Sequence, residues 1–410
     1  FGLITTNSLP QSFNRRVVER ALAAVREGPG TALADTAMPR TTRSKPGAGK
    51  SRTVSGALSL VFAIPDHPWV DNAQGAAVRI AMTVAERDSR VGHLVRIVRE
   101  GAWMNDEVDI DLAEREGLIN ANLSIGANVG SATRLSANAG MSYMGVILVG
   151  AGFIVEPGDP LLELEPGPIR PYMNGRDLSQ TPRGVSVIDL AGMSQEEVLR
   201  RYPNCYQRLL QRVKPERDHN ARSTYRENWW VFGEPRRQLR PAMAGLKRYI
   251  GTTETAKHRV FSFIDRAVVP DQKIRVVTLD DAFFLGVLST RLHVLWALVT
   301  GGRMGQGNDP VYNNTACFEP FPFPNHVADA HSIVTQIAAT AEELDAHRKR
   351  QQAAHATLTL TDMYNVLDAL RLGRALTAKE RLVHANGLVG VLAELHDRLD
   401  ALVLQAYGWA

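Results

Sequence analysis

The sequence predicts a mixed α/β protein whose strand-bearing first three quarters give way to a purely helical carboxy-terminal segment. Short apolar runs closed by polar turns or proline recur early, at Phe1–Ile4, Leu58–Ile64 and Ala76–Ala85, and these read as strands. Apolar residues at helical spacing alternate with them, as in Arg15–Arg26, where Val17, Val18, Leu22 and Val25 can share a face. From residue 326 onward only the helical period remains. At 410 residues, 44% hydrophobic and 22% charged, the chain is long and apolar enough for two or three packed domains.

In chain order, the first strand ends in the polar turn Thr5–Ser8, and the helix Arg15–Arg26 follows. Residues 27–57 are rich in Gly, Pro, Thr, Ser and basic side chains and read as a flexible basic insertion. Leu58–Ile64 should stop at Pro65, and Leu94–Val98 with Val108–Leu112 read as an edge pair. Val146–Val149 reads as a strand, and Asn174-Gly175 as a positive-φ turn. Helical signals occupy Ser194–Val213, strands lie around Arg259–Phe263 and Ile274–Leu279, and Phe284–Leu298 is one strongly apolar helix. Beyond residue 326, Ile333, Ile337 and Leu344 share a face, and Asp345 with Lys349 makes an i,i+4 pair. Thr377 and Glu380 have capping-box spacing, and Leu388, Leu392, Leu395, Leu399, Leu402 and Ala406 form a helix–helix seam.

Charge is unevenly spread. Between Arg200 and Arg275 eighteen Lys and Arg face seven Asp and Glu, a local balance of +11 in a chain whose formal net charge is +4. Such concentration is the footprint of a surface for polyanions, and Tyr225, Trp229, Trp230, Phe232, Tyr249 and Phe261 are interleaved with it. Within this region Arg236, Arg237, Arg240, Lys247, Arg248, Lys257 and Arg259 are the candidates for phosphate contacts. The segment Gly301–Pro324 then joins a glycine-rich turn to an amide-rich stretch and a Phe-Pro-Phe-Pro strap. It reads as a loop presenting Arg303, Asn308, Asp309, Tyr312, Asn313 and Asn314, among them the side-chain types whose geometry matches guanine and adenine edges.

Other motifs are weak. Pro46–Ser51 imitates a phosphate-binding loop, but Ser44 stands where the first glycine belongs, and neither a strand nor a helix flanks it. Asp309–Tyr312 imitates the Asp-Pro-Pro-Tyr motif of amino-methyltransferases with Val311 in place of the second proline. His67, His219, His258 and His293 lack metal-ligand spacing, as do Cys205 and Cys317, so no metal is indicated. No run reaches the roughly 18 to 20 apolar residues of a membrane helix, and a cytoplasmic protein is expected.

Longer phrases, among them FGLITTNSLPQSFNRRV, IRPYMNGRDL, NWWVFGEPRRQLRP and RYIGTTETAKHRVF, resemble the single-chain DNA methyltransferases of MmeI-like restriction–modification systems, which modify adenine N6. FGLITTNSLPQSFNRRV, LVFAIPDHPWVD and AAVRIAMTV are similar to the end of their methyltransferase domain. IRPYMNGRDL, NWWVFGEPRRQLRP, RYIGTTETAKHRVF and the Gly301–Pro324 segment are similar to their target-recognition domain. LTLTDMYNVLDALR and GLVGVLAELHDRLDALVLQAYGW resemble their helical segment. The resemblance implies the tail of a Rossmann-like methyltransferase sheet at 1–116, an α+β target-recognition domain at 117–325 and a helical domain at 326–410. It implies duplex DNA as partner and S-adenosylmethionine as cofactor of the complete enzyme. The family's Asn-Pro-Pro-aromatic catalytic motif is not in these residues, so no catalytic residue is expected here and the chain alone should be inactive. The remainder of the enzyme would be an upstream methyltransferase portion. The alternative is a non-enzymatic DNA-binding specificity module that recruits a separate catalytic subunit.

Overall fold

A computed structural model describes residues 2–6, 9, 14–23, 58–69, 78–87, 91–104, 107–304, 309–324 and 331–409. The insertion expected at 27–57, the Pro46–Ser51 motif and Asn308 lie outside the described residues. The chain divides into two compact units, Phe1–Ala132 and Thr133–Ala410.

The first unit is built on one five-stranded sheet ordered β1-β3-β2-β4-β5, from β1 (Gly2–Thr6), β2 (Leu58–Trp69), β3 (Val78–Arg87), β4 (Gly92–Met104) and β5 (Glu107–Gly117). The β1/β3, β3/β2 and β4/β5 pairs are antiparallel, while β2 and β4 run parallel. Contrary to the sequence expectation, β2 does not stop at Pro65. Its pairing with β3 shifts register between Ile64 and His67, and that irregularity lets the strand carry a proline, which has no N–H for the ladder. Leu60, Ala63, Ala81, Ala85 and Leu94 bury against Ile119 and Leu123, with Val18 and Leu22 of the helix Arg15–Ala23 packed alongside.

The second unit holds two four-stranded sheets and a hairpin. The first sheet is ordered β11-β10-β13-β6, from β6 (Ser142–Met144), β10 (Arg248–Thr253), β11 (Ser262–Asp265) and β13 (Ile274–Val277), all antiparallel. The second is ordered β12-β8-β9-β7, from β7 (Ile154–Val155), β8 (Ile169–Met173), β9 (Ser186–Ile188) and β12 (Val269–Pro270). Phe153, Val187, Trp229 and Phe232 fill the core beneath this second sheet with Val198, Cys205 and Leu209. Those last three come from two helices inside the expected helical stretch, Gln195–Arg201 and Pro203–Arg212, with Pro203 starting the second. Asn174 likewise does not form a positive-φ turn: at φ −104° its side chain accepts from the Arg176 and Asp177 amides and caps a short helix. Val146 and Ile147 form only isolated bridges, to Asp271 and Glu234.

The largest core joins the first sheet to helices. Phe284–Leu298 is not a single helix, since Thr290 ends Ala282–Ser289 and caps Arg291–Thr300. The helices His331–Ala354, Leu360–Arg371, Ala378–Gly387 and Val389–Ala406 follow. Leu392, Leu395, Leu399 and Leu402 are buried in this core, whereas Leu388 stands outside the seam as the half-exposed, positive-φ residue between the last two helices. The Thr377–Glu380 capping box forms as the spacing requires. Asp345 accepts from the Lys349 ammonium at 2.6 Å and from the Ser262 hydroxyl at 2.6 Å, tying the helix to β11. Arg348 is also buried there, donating to the Phe261 carbonyl at 2.8 Å and to the Tyr364 hydroxyl at 3.0 Å. Among the described residues no single helix is long and apolar enough to cross a membrane.

Candidate nucleic-acid interface

The Gly301–Pro324 segment is a hairpin on a buried anchor. Strands β14 (Gly302–Met304) and β15 (Asp309–Val311) pair antiparallel, with Arg303 opposite Pro310 and Met304 opposite Asp309. Gly301 is required at the base, because a Cβ there would lie 2.4 Å from the Val311 oxygen and 2.6 Å from that of Ala297. The returning strand is stitched to the turn after β10: the Ala256 amide donates to the Pro310 carbonyl at 3.3 Å and the Tyr312 amide to the Glu254 carbonyl at 2.7 Å. Arg303 and Met304 are therefore exposed on a strand whose partner is fixed to the core.

Two residues expected to meet DNA face inward instead, and both expectations are corrected. Tyr312 is fully buried, its hydroxyl 2.9 Å from His293 Nε2 and its ring 5.4 Å from that of Phe261. Burial, with the nearby Arg259 cation, pulls the His293 pKa down to about 3, so the imidazole is neutral. Arg259 is buried as well: its guanidinium donates to the Thr253 carbonyl, to the Thr252 hydroxyl at 3.2 Å and to the Pro310 carbonyl at 3.1 Å. Desolvation lowers its pKa to about 10, which leaves it charged at neutral pH and 5.2 Å from the Tyr312 ring. Together Tyr312 and Arg259 hold the hairpin base. In the sequence they could not be told from surface residues, because the signal for burial is a tertiary one.

Beyond the hairpin, Asn313 is exposed and its Oδ1 accepts from the Thr315 amide at 2.9 Å and hydroxyl at 2.7 Å, capping the turn Asn314–Phe318. Asn314 diverges from it. Its Oδ1 is buried without a hydrogen bond among the described residues, and its side chain lines a cavity together with Arg236 and Arg237. The end of the proposed reading loop and the basic turn thus border one space.

The remaining expected phosphate contacts fall into distinct settings. Arg240 donates to both Asp189 oxygens, at 2.8 and 2.6 Å, and with Lys247 lines a separate cleft of about 800 Å³ that also carries Arg170 and Arg266. Arg248 grips the Glu342 carboxylate with both terminal nitrogens and lies 3.4 Å from the centre of the Phe263 ring; the Glu342 bond raises its pKa. Lys257 is exposed and donates to Asn365 Oδ1 at 2.6 Å. Arg236 donates to the Gly145 carbonyl at 3.2 Å, and exposed Arg237 makes no ion pair or hydrogen bond among the described residues. Sequence reasoning passed over Arg170, Arg222 and Arg266, which only the fold brings to these cavities. Among the described residues no cluster of His, Cys, Asp or Glu could hold a metal ion.

The hairpin, its anchor and the basic turns all fall inside one stretch, residues 169–325, that matches a family model described as "MmeI, target recognition domain". This segment is similar to the MmeI target-recognition domain. The whole chain also superposes on the solved structure of the type IIL restriction-modification enzyme MmeI in complex with DNA, with a TM-score of 0.69 at 16% identity. That match covers 100% of this chain and 47% of MmeI, so the chain spans about half the length of its structural relative. The type IIG restriction endonuclease BpuSI is a more distant match, at a TM-score of 0.32 and 9% identity over 99% of this chain and 47% of BpuSI, and carries no argument. Comparison with curated proteins gives no match. At this identity the likeness to MmeI establishes a shared mixed α/β fold with a helical carboxy-terminal segment, and the family model adds the target-recognition segment.

Proposed function

We propose that this chain supplies sequence-specific recognition of duplex DNA within a site-specific DNA adenine-N6 methyltransferase of a restriction–modification system. The match of residues 169–325 to the MmeI target-recognition domain carries the proposal. MmeI was solved bound to DNA, and this chain shares its fold. In this division of labour residues 1–116 belong to the methyltransferase sheet, 117–325 read the DNA and 326–410 brace the reader. Exposed Arg303 and half-buried Asp309 of the hairpin, with exposed Asn313 just beyond it, contact bases. Arg237, Arg240, Lys247 and Lys257 contact backbone phosphates, which position the protein without reporting sequence. Arg236 and Arg248, half-buried against internal partners where Arg240 and Lys257 are exposed, orient their surroundings.

Methyl transfer belongs to the complete enzyme, where S-adenosylmethionine supplies the methyl group to an adenine N6. The residues here do not suit that step: the sequence contains no Asn-Pro-Pro, and the Tyr312 ring of Asp309–Tyr312 is locked in the core, away from any base it could stack on. The test is incubation of the 410-residue chain with random-sequence duplexes and labelled S-adenosylmethionine. Recovery of one enriched DNA site with no incorporated label is expected. Incorporation of label, or binding without any enriched site, would contradict the proposal.

A further inference from the structure

The cavity bordered by Asn314, Arg236 and Arg237 has a volume of about 720 Å³ and a strongly cationic lining. Beneath it lies Arg217, fully buried, whose guanidinium donates to the carbonyls of Val149 at 2.8 Å, Leu148 at 2.5 Å and Asn228 at 3.2 Å. No carboxylate pairs with Arg217 among the described residues, and although desolvation lowers its pKa to about 10 it stays charged at neutral pH. A buried charge without a counter-ion is costly, and it places a positive field inside the cavity. Arg222, Arg236 and Arg237 add to that field. The one lining carboxylate, Glu234, is already shared by the Tyr225 hydroxyl at 3.1 Å, Arg222 at 3.5 Å and Arg236 at 4.0 Å.

Two polar atoms around the cavity are also unsatisfied. Ser142 Oγ and Asn314 Oδ1 are both buried without a hydrogen bond among the described residues, and both residues line it. Neither atom opens into the cavity as it stands, so each side chain must turn to reach a ligand; buried polar atoms are normally paired, and two orphans in the wall of one cationic cavity leave hydrogen-bonding capacity for a polar ligand. Arg236 in the lining and Val149, whose carbonyl accepts from Arg217, both have φ of +52°, which for a β-branched residue is a rare and strained state. Arg236 is pinned there by its bonds to Gly145 and Met144, and this leaves the adjacent Arg237 exposed at the rim.

We propose that this cavity binds a phosphate group, with Arg237 and Ser142 as donors to its oxygens and Arg217 as the charge beneath. The Asn314 amide, which among the described residues has no bond fixing either orientation, turns its Nδ2 toward the anion. Only the source of the phosphate, the backbone of duplex DNA, rests on the DNA-recognition proposal. Asn314 then belongs to the backbone grip and not to base reading.

The experiment measures duplex affinity of the full chain against salt concentration, on random and on selected DNA. Arg237→Ala should make the slope of log K against log salt shallower by about 0.9, the value of one lost phosphate contact. Arg237→Lys should restore it, and Asn314→Asp, which puts a carboxylate in the cavity, should weaken both DNAs alike. An unchanged slope in folded Arg237→Ala overturns the site, and so does a changed base preference, since that makes Arg237 a base reader. Pyrophosphate, titrated calorimetrically, should compete with DNA. Tight pyrophosphate binding that leaves DNA affinity untouched overturns DNA as the source. Absence of any preferred sequence in the wild type would remove the recognition proposal while leaving the slope test intact on random duplexes.

Discussion

Tyr312 shows how a single residue type can mislead and then inform. Flanked by Asp309, Asn313 and Asn314, it reads in sequence as part of an exposed, DNA-facing loop. In the fold its hydroxyl pairs with His293 and its ring with Phe261, inside a core cluster that also holds Cys317, Phe318 and Phe321. Tyr312→Phe should therefore lower stability by about 1–3 kcal/mol, because His293 Nε2 is left buried without a partner. Chemical denaturation checks this. A change of base preference with stability unaltered would instead return Tyr312 to the interface. The exposed and the buried halves of the same segment were inseparable in the sequence, since both carry aromatic and amide residues and only the partner across the core decides between them.

Among elements, the β14–β15 hairpin depends on close backbone approach at its base. Gly301→Ala would drive a methyl group against the Val311 and Ala297 carbonyls, neither of which can swing away as a flexible side chain could. The expected result is a loss of selectivity among DNA sites far larger than the loss of nonspecific binding, with a modest fall in melting temperature. Equal losses on every duplex would mean that the hairpin supports the fold and does not read. Local signals of this kind were legible where their physics is local: the Thr377–Glu380 capping box and the Asp345–Lys349 pair both form. Element boundaries were legible less often. Thr290 caps a second helix inside the Phe284–Leu298 stretch that looked like one, and the register shift in β2 carries the strand past Pro65.

For the molecule as a whole, the mixed α/β class and the helical end followed from periodicity, and the recognition segment from long phrases of sequence. The distribution of positive charge was visible as well, but not its use. Of the cations between Arg200 and Arg275, Arg217, Arg259 and Arg275 are buried and spend their donors on backbone carbonyls or on Glu254. Composition counts these with the exposed Arg237, Lys247 and Lys257, whereas only the fold separates scaffold from surface.

Base reading by the exposed hairpin edge is tested most directly by selecting random duplexes with the wild-type chain and with folded Arg303→Ala and Asn313→Ala variants, then sequencing the bound DNA. A bidentate base contact discriminates by roughly 1–3 kcal/mol while a phosphate contact discriminates nothing, so each variant should relax or shift the preference at one base pair and leave nonspecific affinity nearly unchanged. Recovery of the wild-type site, unaltered, from both folded variants would contradict the assignment of this hairpin as the reader.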